Sequence, residues 1–202
     1  AAWLLSGRDG AVLRIFHGQE PGEEFGHAVA GPGDMDGDGV PDLLVGAHQS
    51  AEQAGRIALF SGATGALLSS LVGQAPGDRF GSSVAGLGDL DGDGELEVAV
   101  GAPFADPPWA EPFQDLGRVS IHSGPALQEQ AEIYGETGAS YLGRLLVGPG
   151  DVTGDGLPDL VATALSSGGE PDLARIFHGP TLTRTSEFSG PTDSSTMILA
   201  AV

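Results

Sequence analysis

One pattern of aspartates and glycines occurs three times in this chain and constrains its fold more than any other feature. The copies are G-D-M-D-G-D-G-V-P-D at residues 33–42, G-D-L-D-G-D-G-E-L-E at 88–97 and G-D-V-T-G-D-G-L-P-D at 150–159. Oxygen-bearing side chains in a tight loop suit a hard divalent cation, and Ca²⁺ accepts about six to eight oxygens, backbone carbonyls included. Glycine adopts positive φ easily, so the loop can fold back around an ion. The sequence therefore predicts three calcium-binding loops.

The predicted ligands are side chains at loop positions 1, 3, 5 and 9, together with the backbone carbonyl at position 7. They are Asp34, Asp36, Asp38, Val40 and Asp42 in the first loop, Asp89, Asp91, Asp93, Glu95 and Glu97 in the second, and Asp151, Thr153, Asp155, Leu157 and Asp159 in the third. Threonine at position 3 gives the third loop one negative ligand fewer. We therefore expect the third loop to bind calcium most weakly.

These loops have two other interpretations. Asp-Gly pairs form turns without any metal, but three copies between similar apolar segments favour a shared site. An EF-hand also begins D-x-D-x-D-G, yet it needs a bidentate glutamate at position 12 and a helix on each side. Position 12 is Val45, Val100 and Ala162 here, and the flanking segments are strand-like. The EF-hand is rejected.

Composition excludes several classes of protein. The chain has 34 Gly and 14 Pro, but its 40% hydrophobic content and regular repeat indicate an ordered, turn-rich β protein. Its formal charge is −20, and all eight basic residues are arginine, which disfavours nucleic acid and anionic membranes as partners. The absence of cysteine excludes disulfides and thiolate metal sites. No apolar segment is long enough to span a membrane, so membrane insertion is not expected.

The repeat unit is longer than the acidic loop. The segment G-Q-E-P-G-E-E-F-G at 18–26 matches G-Q-A-P-G-D-R-F-G at 73–81, and self-similarity of this kind indicates a repeat architecture. Each unit contains an opening apolar strand, the acidic loop, a strongly apolar strand and an outer hairpin, which is the content of one β-propeller blade. The predicted fold is all-β with little or no helix. The predicted units are a partial blade at 1–24 (strands 3 and 4), repeats at 25–79, 80–141 and 142–196, and an opening strand at 197–202, all in one propeller-type domain.

The paired motifs around the acidic loops resemble FG-GAP repeats. Phe25-Gly26 with Gly46-Ala47, and Phe80-Gly81 with Gly101-Ala102-Pro103, each enclose one loop. Such repeats form the seven-bladed propeller of integrin α-subunits and of many secreted bacterial proteins. The resemblance implies that each loop joins the first two strands of a blade and binds calcium. The third repeat departs from the motif, with Leu142-Gly143 for Phe-Gly and with Thr163-Ala164 for Gly-Ala.

Two further features have more than one interpretation. The longest insertion, between Phe104 and Leu116, carries Trp109 and Phe113 among prolines. It could present a ligand surface, as loops on rigid scaffolds often do, or pack its aromatic side chains onto the protein, and packing is the favoured interpretation. The five histidines, at positions 17, 27, 48, 122 and 178, have no metal-ligand spacing such as H-x-x-x-H, so structural roles are expected for them.

Nothing in the sequence indicates catalysis. No serine lies in a nucleophile context such as G-x-S-x-G, and there is no lysine for a phosphate-binding loop. The acids that glycoside hydrolysis would need lie in loops where a bound cation would occupy their lone pairs. The protein is therefore predicted not to be an enzyme.

Three functions remain open. The leading hypothesis is a calcium-stabilised adhesion or binding scaffold outside the cell, where millimolar calcium fills weak loop sites, with a protein or glycan ligand. The second is a self-assembling structural subunit of a surface layer or filament, whose partners are copies of itself. The third is an accessory propeller of a larger secreted enzyme. The residues themselves do not identify the ligand, because fold does not imply function.

The two ends of the chain suggest an incomplete ring. The chain begins with the third and fourth strands of a unit and stops after one opening strand. An open array of blades leaves unpaired strand edges that invite association. We expect completion by further repeats outside this segment or by another copy, in preference to internal closure into a small ring.

Overall fold

Strands make up nearly all the regular structure of the chain, as the sequence predicts. The computed structural model describes residues 1–110, 114–136, 140–164 and 172–189. These residues form one two-stranded sheet, the partial blade, and three four-stranded sheets, the first, second and third blades. The partial blade contains β1 (Ala2–Leu5) and β2 (Val12–Phe16), and the first blade contains β3 (Ala28–Gly33), β4 (Asp42–Ala47), β5 (Arg56–Phe60) and β6 (Leu67–Val72). The second blade contains β7 (Ser83–Gly88), β8 (Glu97–Ala102), β9 (Arg118–Ser123) and β10 (Gln128–Tyr134). The third blade contains β11 (Leu146–Gly150), β12 (Asp159–Ala164), β13 (Leu173–Phe177) and β14 (Arg184–Ser189).

Each complete blade is an antiparallel meander whose strands pair in the order of the chain. The register in the first blade pairs Val29 with Val45, Val45 with Ala58 and Ala58 with Ser70. This topology confirms the predicted fold class of all-β propeller blades, with about three complete blades and a partial one. The opening strand predicted at 197–202 lies outside the described residues.

The middle strands of each blade are the most buried. Every residue of β8 and β9 is buried, whereas the outer strand of the third blade, β14, is fully exposed. The middle strands are covered on both faces, because one apolar cluster joins Leu44 and Ile57 of the first blade to Val98 and Val100 of the second. A second cluster joins the second and third blades through residues that include Ile121 and Leu160. The blades therefore share cores at their interfaces, which accounts for the continuous apolar runs in β4, β8 and β12.

The glycines of the repeat motif are needed for close backbone contact between blades. Within the first blade Gly26 N–H donates to the carbonyl of Gly46 (3.0 Å), and within the second Gly81 N–H donates to that of Gly101 (3.0 Å). The contact between the two blades is made by Gly46 and Gly81. A Cβ placed on Gly46 would lie 2.1 Å from the Gly81 carbonyl oxygen of the next blade. In the third blade Gly143 N–H donates to the carbonyl of Thr163 (3.1 Å). The same hydrogen bond is therefore formed although the third repeat departs from the motif.

Three arginines are buried and paired with glutamates. Arg56 of β5 donates to Glu23 at 2.8 Å, with both side chains buried, and so fastens the segment before β3 to the third strand of the same blade. Arg118 of β9 pairs with Glu132 of β10 in the second blade. Arg175 is likewise buried in the third blade and paired with a glutamate on β14. The pairing matters because an unpaired buried charge is strongly destabilising.

Helical structure is nearly absent from the described residues, as predicted. The one short helix among the described residues, α1 (Ser50–Gln53), contains Ala51 and Glu52 with positive φ, so it is a tight turn rather than a regular helix. Among the residues described, none belongs to a helix long and apolar enough to cross a membrane.

The aromatic residues of the long insertion pack onto other aromatic side chains. Trp109 is 76% exposed, but its ring meets that of Tyr134 on β10 edge-on, with centroids 5.3 Å apart. Phe104 meets Tyr141, just before the third blade, in the same way at 5.4 Å. These contacts favour the packing interpretation, while the exposed face of Trp109 remains accessible. Phe113 lies outside the described residues.

The close contact between blades predicts that Gly46→Ala will destabilise the protein. The added methyl group would clash with backbone of the next blade, and overpacking of this kind typically costs about 1–3 kcal/mol. Gly31→Ala is the matched control, because a Cβ at Gly31 has no neighbour within 4 Å. Thermal melts should show a clear loss for Gly46→Ala alone; equal melting temperatures for the two variants would contradict the contact.

A buried histidine predicts a dependence of stability on pH. Burial lowers the pKa of His122 to about 4, while its Nδ1 lies 3.2 Å from the Leu127 carbonyl and its Nε2 lies 2.9 Å from the Ser120 hydroxyl. The unfolded chain takes up the proton near pH 6.5, so the native state loses stability as the pH falls from about 6.5 towards about 4. Denaturant melts should show a weaker loss over this window in His122→Asn than in the control His17→Asn, whose histidine is exposed. Identical pH profiles would refute the assignment.

Candidate metal centres

The three acidic loops lie at the same end of their blades, where each joins the first strand to the second. We name residues 34–42, 89–97 and 151–159 the first, second and third acidic loops. Two glycines in each have positive φ, between 77° and 95°, as the sequence predicts: Gly37, Gly39, Gly92, Gly94, Gly154 and Gly156. These turns direct several backbone N–H groups towards the inside of the loop.

The first carboxylate of each loop accepts those N–H groups. In the first loop, Asp34 accepts hydrogen bonds from the backbone of Gly37 (2.9 Å), Asp38 (3.0 Å) and Gly39 (2.7 Å). Asp89 and Asp151 accept in the same way from the glycines of their own loops. Hydrogen bonds to a carboxylate favour its charged form, and those from Gly156 and Gly154 lower the pKa of Asp151.

The last carboxylate of each loop is buried and ties the loop to the blade. Asp42, at the start of β4, accepts from Met35 N–H (2.8 Å) through Oδ2 and from Gly62 N–H (2.9 Å) through Oδ1. Asp159 accepts from Val152 N–H and from the backbone of Gly179. One side chain thus holds the loop and also the turn between the third and fourth strands.

Glutamate at the last position of the second loop changes this arrangement. Glu97 Oε2 accepts from Leu90 N–H at 2.6 Å, but Oε1 is buried and has no hydrogen-bond partner in the described part of the chain. Burial raises the pKa of Glu97, because a desolvated carboxylate without a partner is costly. A cation at this position would supply the missing partner.

Two of the loops gather three carboxylates. Ligand atoms of Asp34, Asp36 and Asp42 lie within 4.8 Å of one another, and the same is true of Asp89, Asp91 and Glu97. Desolvation, followed by repulsion from neighbouring aspartates, raises the pKa of Asp36. An all-oxygen donor set with mutually repelling charges fits a hard cation such as Ca²⁺. The residues present therefore fit the ion that the sequence predicts.

The remaining predicted ligands lie in the loops but outside these groups. Asp38 accepts from Val40 N–H at 2.9 Å and faces the Ser61 hydroxyl at 3.4 Å. Asp93 accepts from Glu95 N–H, and Asp155 accepts from Leu157 N–H. The Glu95 side chain accepts from the hydroxyl of Ser123 on β9 (2.9 Å). The position-5 side chains thus shape the backbone at position 7, whose carbonyl is the predicted ligand.

The third loop differs because a histidine contacts it. His178 Nε2 lies 2.5 Å from Asp155 Oδ2, at the place where Ser61 and Ser123 contact the other two loops. Thr153 Oγ1 lies 3.4 Å from Asp159, so position 3 contributes a hydroxyl to the loop and no charge. Sequence reasoning missed His178, although its alignment with Ser61-Gly62 and Ser123-Gly124 as His178-Gly179 was a usable signal.

Family models match the middle of the chain. An FG-GAP repeat model matches residues 80–122, and an FG-GAP-like repeat model matches residues 34–100. Together these segments contain the first two acidic loops and the strands around them.

Curated relatives match most of the chain. Integrin alpha-3 of Cricetulus griseus is 34% identical over 82% of this chain, integrin alpha-5 of Xenopus laevis 32% over 80%, and integrin alpha-IIb of Homo sapiens 35% over 75%. The chain spans only 16–17% of the length of these relatives. The similarity therefore concerns one segment of much longer proteins.

A solved structure shows the same fold. The rhamnogalacturonan lyase of Bacillus licheniformis superposes with a TM-score of 0.51, covering 81% of this chain and 34% of the lyase. Sequence identity is 17%, so this likeness concerns the fold and carries no information about activity.

Proposed function

Because the chain belongs to the FG-GAP repeat family, we propose that it is a non-enzymatic, calcium-binding propeller scaffold that mediates adhesion outside the cell through a protein or glycan ligand. The observation that carries the proposal is the difference between the two ends of the blades. Acidic loops occupy one end, and at the other end Arg79, Phe104, Tyr141 and Arg144 line a cavity. The likeness to integrin alpha chains supports an adhesion role.

Calcium would act as a structural element at the first end. The carboxylates of Asp34, Asp36 and Asp42 repel one another without a cation, and Asp42 also holds the turn at Gly62. An ion bound by these side chains would stabilise the contact between the inner and outer halves of the blade. Each loop belongs to a different blade, so up to three ions would stiffen the array, the third most weakly.

The opposite end offers a surface for a ligand. A cavity of about 230 Å³ there is lined by residues from three successive units, among them Arg79, Phe104, Tyr141 and Arg144. Arg79 lies over the Phe104 ring at 4.6 Å, a cation–π contact that fixes the guanidinium. Two of the eight arginines of an acidic protein therefore line this cavity, which suits an acidic group on the ligand.

Binding rather than catalysis is favoured by the state of the acidic side chains. The carboxylates of the acidic loops are engaged by backbone N–H groups or held among other acids. A bound cation would also occupy their lone pairs. These side chains are thus committed to structure, which leaves them unsuited to act as general acids and bases.

We predict that calcium stabilises the fold. A ligand at about 100 times its Kd contributes about 2.7 kcal/mol, which for a chain of this size is a shift in Tm of about 5–10 °C. Differential scanning calorimetry with calcium and then with EDTA should show this shift. A Tm that EDTA leaves unchanged at low ionic strength would show that the loops do not bind calcium.

The loops should contribute unequally to that shift. Asp38→Ala removes a charged ligand from the strongest predicted loop, whereas Asp155→Ala acts on the weakest. The gap in Tm between calcium and EDTA should therefore shrink more for Asp38→Ala. Comparing this gap, rather than Tm itself, cancels the loss of the contact between Asp155 and His178. The reverse order would mean that ligand charge does not control affinity.

The adhesion role is tested with defined probes and a charge-reversed variant. Wild type should bind, in calcium, to at least one member of a plate-immobilised set of fibronectin, laminin, collagen and a printed glycan array. Arg144→Glu should weaken that binding by about tenfold or more, a loss of about 1.4 kcal/mol. Arg8→Glu is the matched control, because Arg8 is exposed in the turn between β1 and β2. Equal binding by both variants, or binding to none of the probes, would contradict the proposal.

A further inference from the structure

A second group of metal-ligating side chains lies at the end of the first blade opposite its acidic loop. Glu24 and His27 precede β3, and His48 directly follows β4. Glu24 Oε2 lies 3.6 Å from His27 Nδ1 and 3.6 Å from His48 Nε2. All three side chains offer ligand atoms within 4.8 Å of one another. The β3–β4 hairpin thus brings together residues that are far apart in the sequence.

Hydrogen bonds fix the glutamate in this position. Gln49 Nε2 donates to Glu24 Oε1 at 2.8 Å, which leaves Oε2 directed at the two imidazoles. The backbone of His27 donates to the Glu24 carbonyl at 3.0 Å, and that of Gln49 donates to the Glu23 carbonyl. Glu24 has φ of 55°, a strained conformation for a residue with a side chain. Outer contacts that orient a ligand are typical of metal sites.

The buried histidine lacks the partners that a purely structural histidine would have. His48 is 6% exposed, its Nδ1 has no hydrogen-bond partner in the described part of the chain, and its Nε2 is too far from Glu24 for a hydrogen bond. Its ring centroid lies 4.1 Å from that of His27. Imidazole is the commonest metal ligand among side chains, so a metal ion would supply the partner that this ring lacks.

We propose that Glu24, His27 and His48 bind a divalent transition metal of the zinc class, with water completing the coordination. A tetrahedral Zn²⁺ with ligands at about 2.0–2.1 Å separates its ligand atoms by about 3.3–3.5 Å. The two 3.6 Å separations from Glu24 are close to that value, and the ligand atoms of the two histidines lie within 4.8 Å of each other. Two imidazoles favour such a metal over calcium, which prefers oxygen ligands. The site is therefore chemically distinct from the acidic loops.

The same positions in the other repeats show that this site is particular to the first. Arg79 and Ser82 stand where Glu24 and His27 stand, and Pro103 stands at the position of His48. Arg79 also has positive φ, at 57°, so the backbone is shaped alike in both repeats. The backbone geometry is thus common to the two repeats, but only the first repeat has these three metal-ligating residues.

The surroundings leave room for water on the metal. His27 and Glu24 are about half exposed, so a cation can enter from solvent. The cavity of about 230 Å³ described above is lined by both histidines and would hold the remaining water ligands. Arg79 and Arg144 also line it and oppose a cation, but the Arg79 guanidinium is held over the Phe104 ring. Glu24 provides the compensating negative charge.

The test is a zinc titration of the full chain in excess calcium, which keeps the acidic loops filled. Calorimetry should show one equivalent of Zn²⁺ for wild type, and imidazole ¹⁵N shifts should report coordination of His27 and His48. Gln49→Ala should bind about 10–100 times more weakly, and His27→Ala should lose the site. His17→Ala is the control, because His17 is an exposed histidine outside the group.

Folding is checked separately by the Tm of each variant in calcium, which should match wild type because His27 is exposed. Absence of zinc uptake by wild type would overturn the proposal. So would equal affinities of His27→Ala and His17→Ala, since the zinc would then bind elsewhere. Neither result bears on calcium, so this proposal can fail while the proposed function stands.

Discussion

The contact on which the rest of the structure depends is the approach of one blade's backbone to the next. Gly46 and Gly81 meet without any side chain between them, and only then can Leu44 and Ile57 reach Val98 across the interface. A blade alone exposes an apolar face, so its stability comes from its neighbours, as in other repeat proteins. The glycines of the motif are therefore structural requirements of stacking, independent of any ligand.

The acidic loops are shaped by hydrogen bonds that do not involve an ion. Asp34 accepts N–H groups of the exposed turn, and Asp42 accepts the buried N–H of Met35 and the part-buried N–H of Gly62. A buried N–H without a partner would be costly. A site prepared in this way loses little conformational entropy on binding. Glu97 is the exception, because its longer side chain leaves one oxygen buried and unpaired. The turn-forming role of these aspartates is therefore compatible with the calcium-binding role that we propose for them.

Sequence predicted the fold well and the side-chain groups less well. Four strands per unit follow from a pattern that returns after 55 and then 62 residues, so each repeat supports the interpretation of the others. The contact of His178 with the third loop was missed because it requires the alignment of outer strands. Glu24 and His48 were missed because a hairpin, which sequence spacing does not reveal, brings them together. The packing of Trp109 on Tyr134 needed three-dimensional distances as well. Local sequence patterns predict the course of the backbone, whereas contacts between distant segments can be recognised only in the folded structure.

The burial of Arg56, Arg118 and Arg175 has a consequence for how the molecule behaves in solution. These three of the eight cationic side chains are buried and paired with glutamates, so they contribute little to the field outside the protein. The surface that another molecule meets is therefore dominated by the remaining excess of acids. Copies of the chain repel one another at low ionic strength, and added salt screens this repulsion within about 8–10 Å of the surface. How closely copies of the chain can approach one another thus depends on the salt concentration as much as on the shape of the blades.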